Sequence, residues 1–331
     1  MPLIPYPVNY YNYSMAIPLF PNFAPISLEH KNELHPKLSL TIDGVSEFTF
    51  AGLYLFRKRY QYQVSRVDDR LIIISGIQPP PASSPSTQSP PNQLSDDNSS
   101  AANEIQKKFF MTPCACPQRE ILDELFKTHD FWKNIPESIL ERQRSQLEEW
   151  GFCFTEDRDN FDYLYQRKDL AELAGKKYHK KRNLIAQFLK LYTHEERPLC
   201  SETIPDAMKV LESWHADRGE RGDYTACREA LELFSELNHK GLVLYIDGKP
   251  GGLCMGEPAA RGRIFTIHFE KGLDRYKGIY QFINQAFAIT LPRYFTLINR
   301  EQDLGDEGLR QAKMTYKPSG FVKKYRGFIT R

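Results

Sequence analysis

The stretch from Asp159 to Phe188 constrains this chain more than any other. It lies mid-chain and joins a strand pattern to an amphipathic helix that carries two misplaced cations. Aromatics at Phe161, Tyr163 and Tyr165 alternate with smaller or polar neighbours, the period of a half-buried strand. Gly175 then separates two helical pieces. At 100° per residue, Ile185, Phe188, Leu189 and Tyr192 fall within about 80° of Tyr178, which makes an apolar stripe. Lys176, His179, Lys180, Asn183, Gln187 and Lys190 fall on the far side, where water is expected. Lys181 and Arg182 fall inside the apolar arc. A cation on a buried face must snorkel out or find an anion. Two outcomes stay open. The pair meets structural carboxylates, or it lines a pocket for an anionic group such as a phosphate, with arginine the better bidentate fork.

Residues 162 to 183 hold an Asp-Tyr-x-Tyr strand, a Leu-x-x-Leu-x-Gly-Lys-Lys segment and a Lys-Arg-Asn helix. A second block runs Ile298-Asn299-Arg300-Glu301-Gln302-Asp303-Leu304-Gly305, followed by Leu309, Lys313, Tyr316, Lys317 and Pro318. Phe48-Thr49-Phe50 with Tyr54-Leu55-Phe56 makes a weaker third. With these residues the chain resembles the family built on the C-terminal domain of phosphatidylglycerol lysyltransferases. The resemblance implies two tandem acyltransferase domains and transfer of an aminoacyl group from an aminoacyl-tRNA to a lipid or small-molecule acceptor. The family's lipid-modifying members carry a membrane domain ahead of the matched part, and none is read in this chain.

At 331 residues the chain is long enough for two domains, and 41% hydrophobic residues supply cores for both. A formal charge of +2 gives no whole-molecule field toward nucleic acid or membrane, so anion recognition must be local. Six scattered cysteines fit free thiols in a reducing cytosol, and Cys114-x-Cys116 lacks a second pair at zinc spacing. No signal peptide and no spanning segment is read, so a cytoplasmic location is expected.

Residues 1 to 26 read as an irregular arm, with Ser27 as cap for a helix from Leu28. Tyr60 to Val64 and Arg70 to Ile77 read as a hairpin. Gln78 to Glu104, with six prolines, seven serines and Leu94 as its one large apolar residue, reads as a disordered insertion. A strand resumes at Phe109. Amphipathic helices follow over 118–128 and 136–150, and a strand opens at Phe152. Helices are read over 205–214 and 228–237, then strands at 242–246, 252–256 and 263–269, with Asp247-Gly248 as a hairpin turn. A helix over 280–289, a strand over 293–299 and a helix over 308–317, stopped by Pro318, complete the pattern.

This order makes the fold class α+β, and the resemblance implies two tandem GNAT-like (acyl-CoA N-acyltransferase-like) domains with mixed, mostly antiparallel sheets flanked by helices. The expected division is 1–165, with the insertion at 78–104, and 166–331, with the active cleft in the second. In folds of this type a Gly-rich loop after the fourth strand cradles a phosphate. Here that place reads Arg275-Tyr276-Lys277-Gly278-Ile279-Tyr280, where Arg275 and Gly278 fit and Tyr280 does not. Acetyl-CoA as donor is accordingly the lesser expectation.

Asn299, Glu301 and Asp303 follow a strand end directly. Two carboxylates near Lys313 and Lys317 could orient and deprotonate an amine and hold an oxyanion, or serve only as helix caps. His268 fits either a satisfied core residue or a base. The candidate catalytic set is Asn299, Glu301, Asp303, Lys313 and Lys317. The candidate binding set is Lys181, Arg182, Asn183, Arg275, Gly278, Tyr316 and His268. No metal set stands out, and no covalent intermediate is implied. The alternatives are an acetyl-CoA-dependent N-acyltransferase and a binding module that keeps the cleft without turnover.

Overall fold

The computed structural model describes residues 17–79, 106–218 and 222–330. Nearly all of the expected insertion 78–104, and residues 1–16 of the expected arm, lie outside this range. The chain forms two mixed seven-stranded sheets flanked by helices.

In spatial order the first sheet holds Ala24–Pro25, Gln63–Arg66, Ile72–Ile77, Lys108–Met111, Phe131–Pro136, Lys324–Ile329 and Phe152–Glu156. The hairpin read at 60–77 is present, with Val64 opposite Ile74. Phe109 and Phe110 pair in parallel with Phe131 and Trp132. The second sheet holds Gly320–Val322, Asp162–Gln166, Leu297–Asn299, Ile264–Gly272, Lys249–Ala259, Lys240–Ile246 and His194–Pro198.

These memberships run across the division expected at residue 165. Strand Asp162–Gln166 belongs to the second sheet, antiparallel to Leu297–Asn299. The C-terminal strand Lys324–Ile329 returns to the first sheet, between two strands of the N-terminal half. The physical reason is a buried polar knot. Lys324, fully buried, donates to Asp162 Oδ1 at 2.8 Å and pairs with Glu47. Ser46 adds a backbone N–H and a hydroxyl to the Asp162 carboxylate, at 2.9 and 2.8 Å. Burial works against the Lys324 charge, but Asp162 and Glu47 keep it charged, and its pKa is raised. Such a knot is stable only when every member is satisfied, which ties the chain's end to its middle.

One apolar core runs between the halves, from Leu34, Phe50 and Phe109 to Val210, Leu231 and Phe269. Another fills the second half, where Tyr163, Tyr165, Tyr178, Ile185 and Phe188 face Phe282, Ile283 and Phe287. Helix His179–Leu191 therefore buries most of its expected stripe, and the Phe188 and Phe282 rings stack at 4.5 Å. Leu189, at 49% exposure, is left outside it.

Strands Lys249–Ala259 and Ile264–Gly272 are bulged between Met255 and Gly256. A Cβ on Gly256 would stand 1.9 Å from the Thr266 carbonyl oxygen, so only glycine permits this approach. Beside it, Ile264–Gly272 pairs in parallel with Leu297–Asn299 through Thr266–Asn299 and no further. The two strands part there.

Candidate functional site

A cavity of about 550 Å³ opens where those strands part, within the usual range for a small-ligand site. The second half lines it with Ile267, His268, Glu270 and Lys271 on one strand and Arg300, Glu301 and Gln302 just past the end of the other. Lys181, Lys313 and Tyr316 add to that side. The N-terminal half contributes Ser46, Glu47, Phe56, Arg59, Tyr60, Tyr62 and Lys133. Leu304 and Leu309, 61% and 42% exposed, give its mouth an apolar lip.

Of the seven candidate binding residues, the structure brings Lys181, Tyr316 and His268 to this cavity. The Lys181 ammonium sits 3.9 Å from the centre of the Tyr316 ring. No carboxylate among the described residues pairs with it. Burial, aided by the Arg300 charge, pushes its pKa down to about 8. The other four do not line the cavity. Arg182 donates to the Leu173 and Gly175 carbonyls at 2.5 and 2.7 Å, which closes the end of helix Arg167–Glu172. It needs no carboxylate because the preceding turn offers oxygen. Asn183 is exposed, its amide 3.4 Å from the ring of His179. Arg275 is exposed over Tyr276. Gly278, at φ 86°, caps helix Ile279–Thr290, and a Cβ there would meet the Leu184 carbonyl at 2.5 Å. Helix His179–Leu191 thus covers the turn that was expected to cradle a pyrophosphate.

Among the five candidate catalytic residues only Glu301 and Lys313 line the cavity. Glu301 takes φ 55°, a left-handed position held by a backbone donation to Asn299 Oδ1 at 2.7 Å. Asn299 is fully buried, and its amide donates to the Gly44 carbonyl at 2.8 Å and to Asp162 at 3.2 Å. It positions the loop and meets no cavity. Glu301 Oε1 lies 2.7 Å from His268 Nδ1, while His268 Nε2 lies 3.0 Å from Glu257 Oε1. Burial opposes a charge on His268, but the two carboxylates outweigh it and push the pKa up to about 10.

Asp303, two residues on, is closed off. Arg310 grips it with two 2.9 Å bonds, Tyr163 donates its hydroxyl at 2.6 Å, Arg158 reaches it at 3.3 Å and the Gly305 N–H at 3.0 Å. Burial would raise its pKa; the Arg310 fork and the Tyr163 hydroxyl instead hold it well below the usual carboxylate range. Lys313 donates to three carbonyls, those of Arg300, Glu301 and Gln302, at 2.6, 3.0 and 2.5 Å. An ammonium has three N–H groups, so Lys313 staples the loop and has no donor left for an oxyanion. Its pKa is pushed down to about 8, by burial first and Arg300 next. Lys317 is exposed beyond the helix end. Asp306 is that helix's cap, accepting from Leu309 N at 2.7 Å.

Sequence reading missed Arg300, Glu270, Lys271 and Asp223. Arg300 pairs with Glu270 at 2.9 Å and Lys271 with Asp223 at 2.5 Å, so these walls are neutralised in pairs. Their signal was present in part, since the alternation of strand 263–269, continued one residue to where the structure extends it, aims Glu270 and His268 to one face. His239, Glu257 and His268 are three groups close enough to share a metal ion. No helix among the described residues is long and apolar enough to cross a membrane.

A family profile described as "Phosphatidylglycerol lysyltransferase, C-terminal" matches residues 102–328. A conserved protein of unknown function from Bacteroides thetaiotaomicron superposes with a TM-score of 0.75 at 26% identity, over 93% of this chain and 99% of that one. The C-terminal domain of a candidate lysylphosphatidylglycerol synthetase from Agrobacterium fabrum gives 0.59 at 13% identity, over 91% and 92%. An uncharacterized protein of Mycoplasmoides gallisepticum is 25% identical over 171 residues, 50% of this chain; the match spans about half (54%) of that protein's length.

Proposed function

This chain belongs to the phosphatidylglycerol lysyltransferase C-terminal family, and we propose that it is an acyltransferase that moves an aminoacyl group from an aminoacyl-tRNA to a lipid or small-molecule acceptor. The observation that carries the reading is the cavity between the parted strands, where Lys181 on the second half's wall, and Lys133 and Arg59 on the N-terminal half's wall, are cations that no carboxylate among the described residues pairs with. The remaining lysines and arginines of the second half's wall are matched to carboxylates or carbonyls. On this wall an anionic donor therefore gains most beside Lys181 and the Tyr316 ring.

In this reading the donor's ester carbonyl lies within reach of Glu301. His268, through its Nδ1–H, keeps that carboxylate aimed into the cavity. The acceptor hydroxyl or amine gives its proton to Glu301 as its oxygen or nitrogen forms the new bond to the ester carbon. The ester C–O bond then breaks, and the departing ribose oxygen takes the proton back. Direct transfer needs no covalent enzyme intermediate. The exposed Leu304 and Leu309 at the mouth suit an acceptor with an apolar part. An acyl-CoA donor fits less well, because Gly278 is packed under helix His179–Leu191 with no room for a pyrophosphate.

The test is transfer of label from a mixed pool of ¹⁴C-aminoacyl-tRNA to phosphatidylglycerol vesicles or to a panel of small amines and alcohols, run beside ¹⁴C-acetyl-CoA. Label in an acceptor, dependent on the tRNA ester, supports the reading. Transfer from acetyl-CoA alone would replace it with N-acetylation, and binding of aminoacyl-tRNA with no transfer would leave a binding module.

A further inference from the structure

Three neighbouring strands of the second sheet bring His239, Glu257 and His268 together behind the cavity wall. His239 immediately precedes strand Lys240–Ile246, whose Lys240 pairs with Gly256, and Glu257 pairs with Thr266. One ligand atom from each lies within 4.8 Å of the others, and the residues are only 5%, 2% and 8% exposed. The two imidazole rings stand 5.6 Å apart.

His239 is a residue the rest of the fold leaves unexplained. Neither of its ring nitrogens has a partner in normal hydrogen-bond geometry, although both are buried, and the Ala230 carbonyl acts on the ring only weakly. Buried polar atoms are nearly always satisfied, and an orphan calls for a missing partner. His268 supplies an independent sign. Its Nδ1 is committed to the Glu301 carboxylate at 2.7 Å, which directs Nε2 toward Glu257 and His239. A histidine that binds a metal through one nitrogen commonly gives its other N–H to a carboxylate, which fixes ring and tautomer.

From this geometry we infer that His239, Glu257 and His268 form a binding site for one divalent transition-metal ion of the zinc class. Two imidazoles and a carboxylate suit such an ion. Bonds of about 2.0–2.2 Å place ligand atoms of a tetrahedral ion roughly 3.3 Å apart. The 3.0 Å between His268 Nε2 and Glu257 Oε1 is already close to that, and a modest side-chain adjustment brings His239 in. The ion takes the place of the proton that bridges Nε2 and Glu257, and it gives His239 its partner. It also pins three strands together. His268 in turn holds Glu301, so the ion would stiffen the carboxylate that faces the cavity without touching substrate. The inference does not depend on which donor or acceptor the cavity takes.

The full chain, stripped with chelator and dialysed, is titrated with Co²⁺ while visible absorption and melting temperature are followed, then challenged with Zn²⁺. One equivalent of Co²⁺ with d–d bands, displaced by one equivalent of Zn²⁺ and raising the melting temperature, is expected. His239→Ala removes at most a weak contact with the Ala230 carbonyl and should abolish the bands while the apo protein melts as cooperatively as before. Glu301→Gln should keep the one-to-one stoichiometry but weaken affinity about tenfold, as loss of an outer carboxylate does. Absence of Co²⁺ or Zn²⁺ uptake by the wild-type chain would overturn the inference. So would uptake of equal affinity in His239→Ala, which would place the ion elsewhere.

Discussion

Two carboxylates on one loop, Glu301 and Asp303, have opposite surroundings. Asp303 is fully buried and ringed by Arg310, Arg158, the Tyr163 hydroxyl and the Gly305 N–H. Glu301 has one side-chain partner, His268, and an oxygen facing a cavity. A carboxylate saturated with donors is stabilised as an anion and is a poor proton acceptor. One held by a single imidazole keeps lone pairs for a substrate. The same contrast separates the adjacent cations Lys181 and Arg182. One lies over an aromatic ring at the cavity, and the other is spent on backbone carbonyls. The lesson is that residue type and spacing nominate reactive groups, while the number of partners already supplied decides which remain available.

Four substitutions sharpen or break this contrast. Glu301→Gln should lower the transfer rate by about two to four orders of magnitude, the usual worth of a positioned base, with little change in urea midpoint; rates are read in single turnover. Asp303→Asn should do the reverse. Arg310 keeps Asp159 and Glu307, but Arg158 and the Tyr163 hydroxyl lose their anion, which costs about 2 kcal/mol in chemical denaturation, while the rate per folded molecule stays within a few-fold. Lys181→Met should weaken binding of an anionic donor about tenfold at pH 7. The sign of its pH dependence follows from the lowered pKa of about 8: the cation is present below that value and lost as pH rises through it. Wild-type affinity should therefore fall across pH 8, well before an ordinary lysine titrates, and the fall should be shallower in the Met variant, where Lys133 and Lys313, also pushed down to about 8, still titrate. Arg182→Gln, which removes only bonds to two carbonyls, should cost about 1 kcal/mol of stability and leave donor binding unchanged by equilibrium titration.

Much of the fold was legible because its period was local. The hairpin at 60–77, the three strands before helix Ile279–Thr290 and the helix His179–Leu191 all follow from alternation or a 3.6-residue stripe. What escaped was set by distant partners. Strand Phe131–Pro136 buries Lys133 and Asn134, and a polar pair of that kind hides an apolar run. Strand His194–Pro198 is exposed throughout and carries no periodic signal. The C-terminal strands follow Pro318, and Lys323-Lys324 looks like solvent-facing charge. Lys324 is buried only because Asp162, 162 positions earlier, meets it. At the site, the loop after Asn299 could be read from the strand that precedes it. Its division into an open Glu301 and a closed Asp303 could not, since Arg158 lies 145 positions away.

The most direct measurement compares single-turnover transfer by Glu301→Gln and Asp303→Asn, each normalised to its folded fraction. The account predicts a loss of at least about a hundredfold for the first and near-wild-type rates for the second. Equal losses, or a larger one at Asp303, would contradict it.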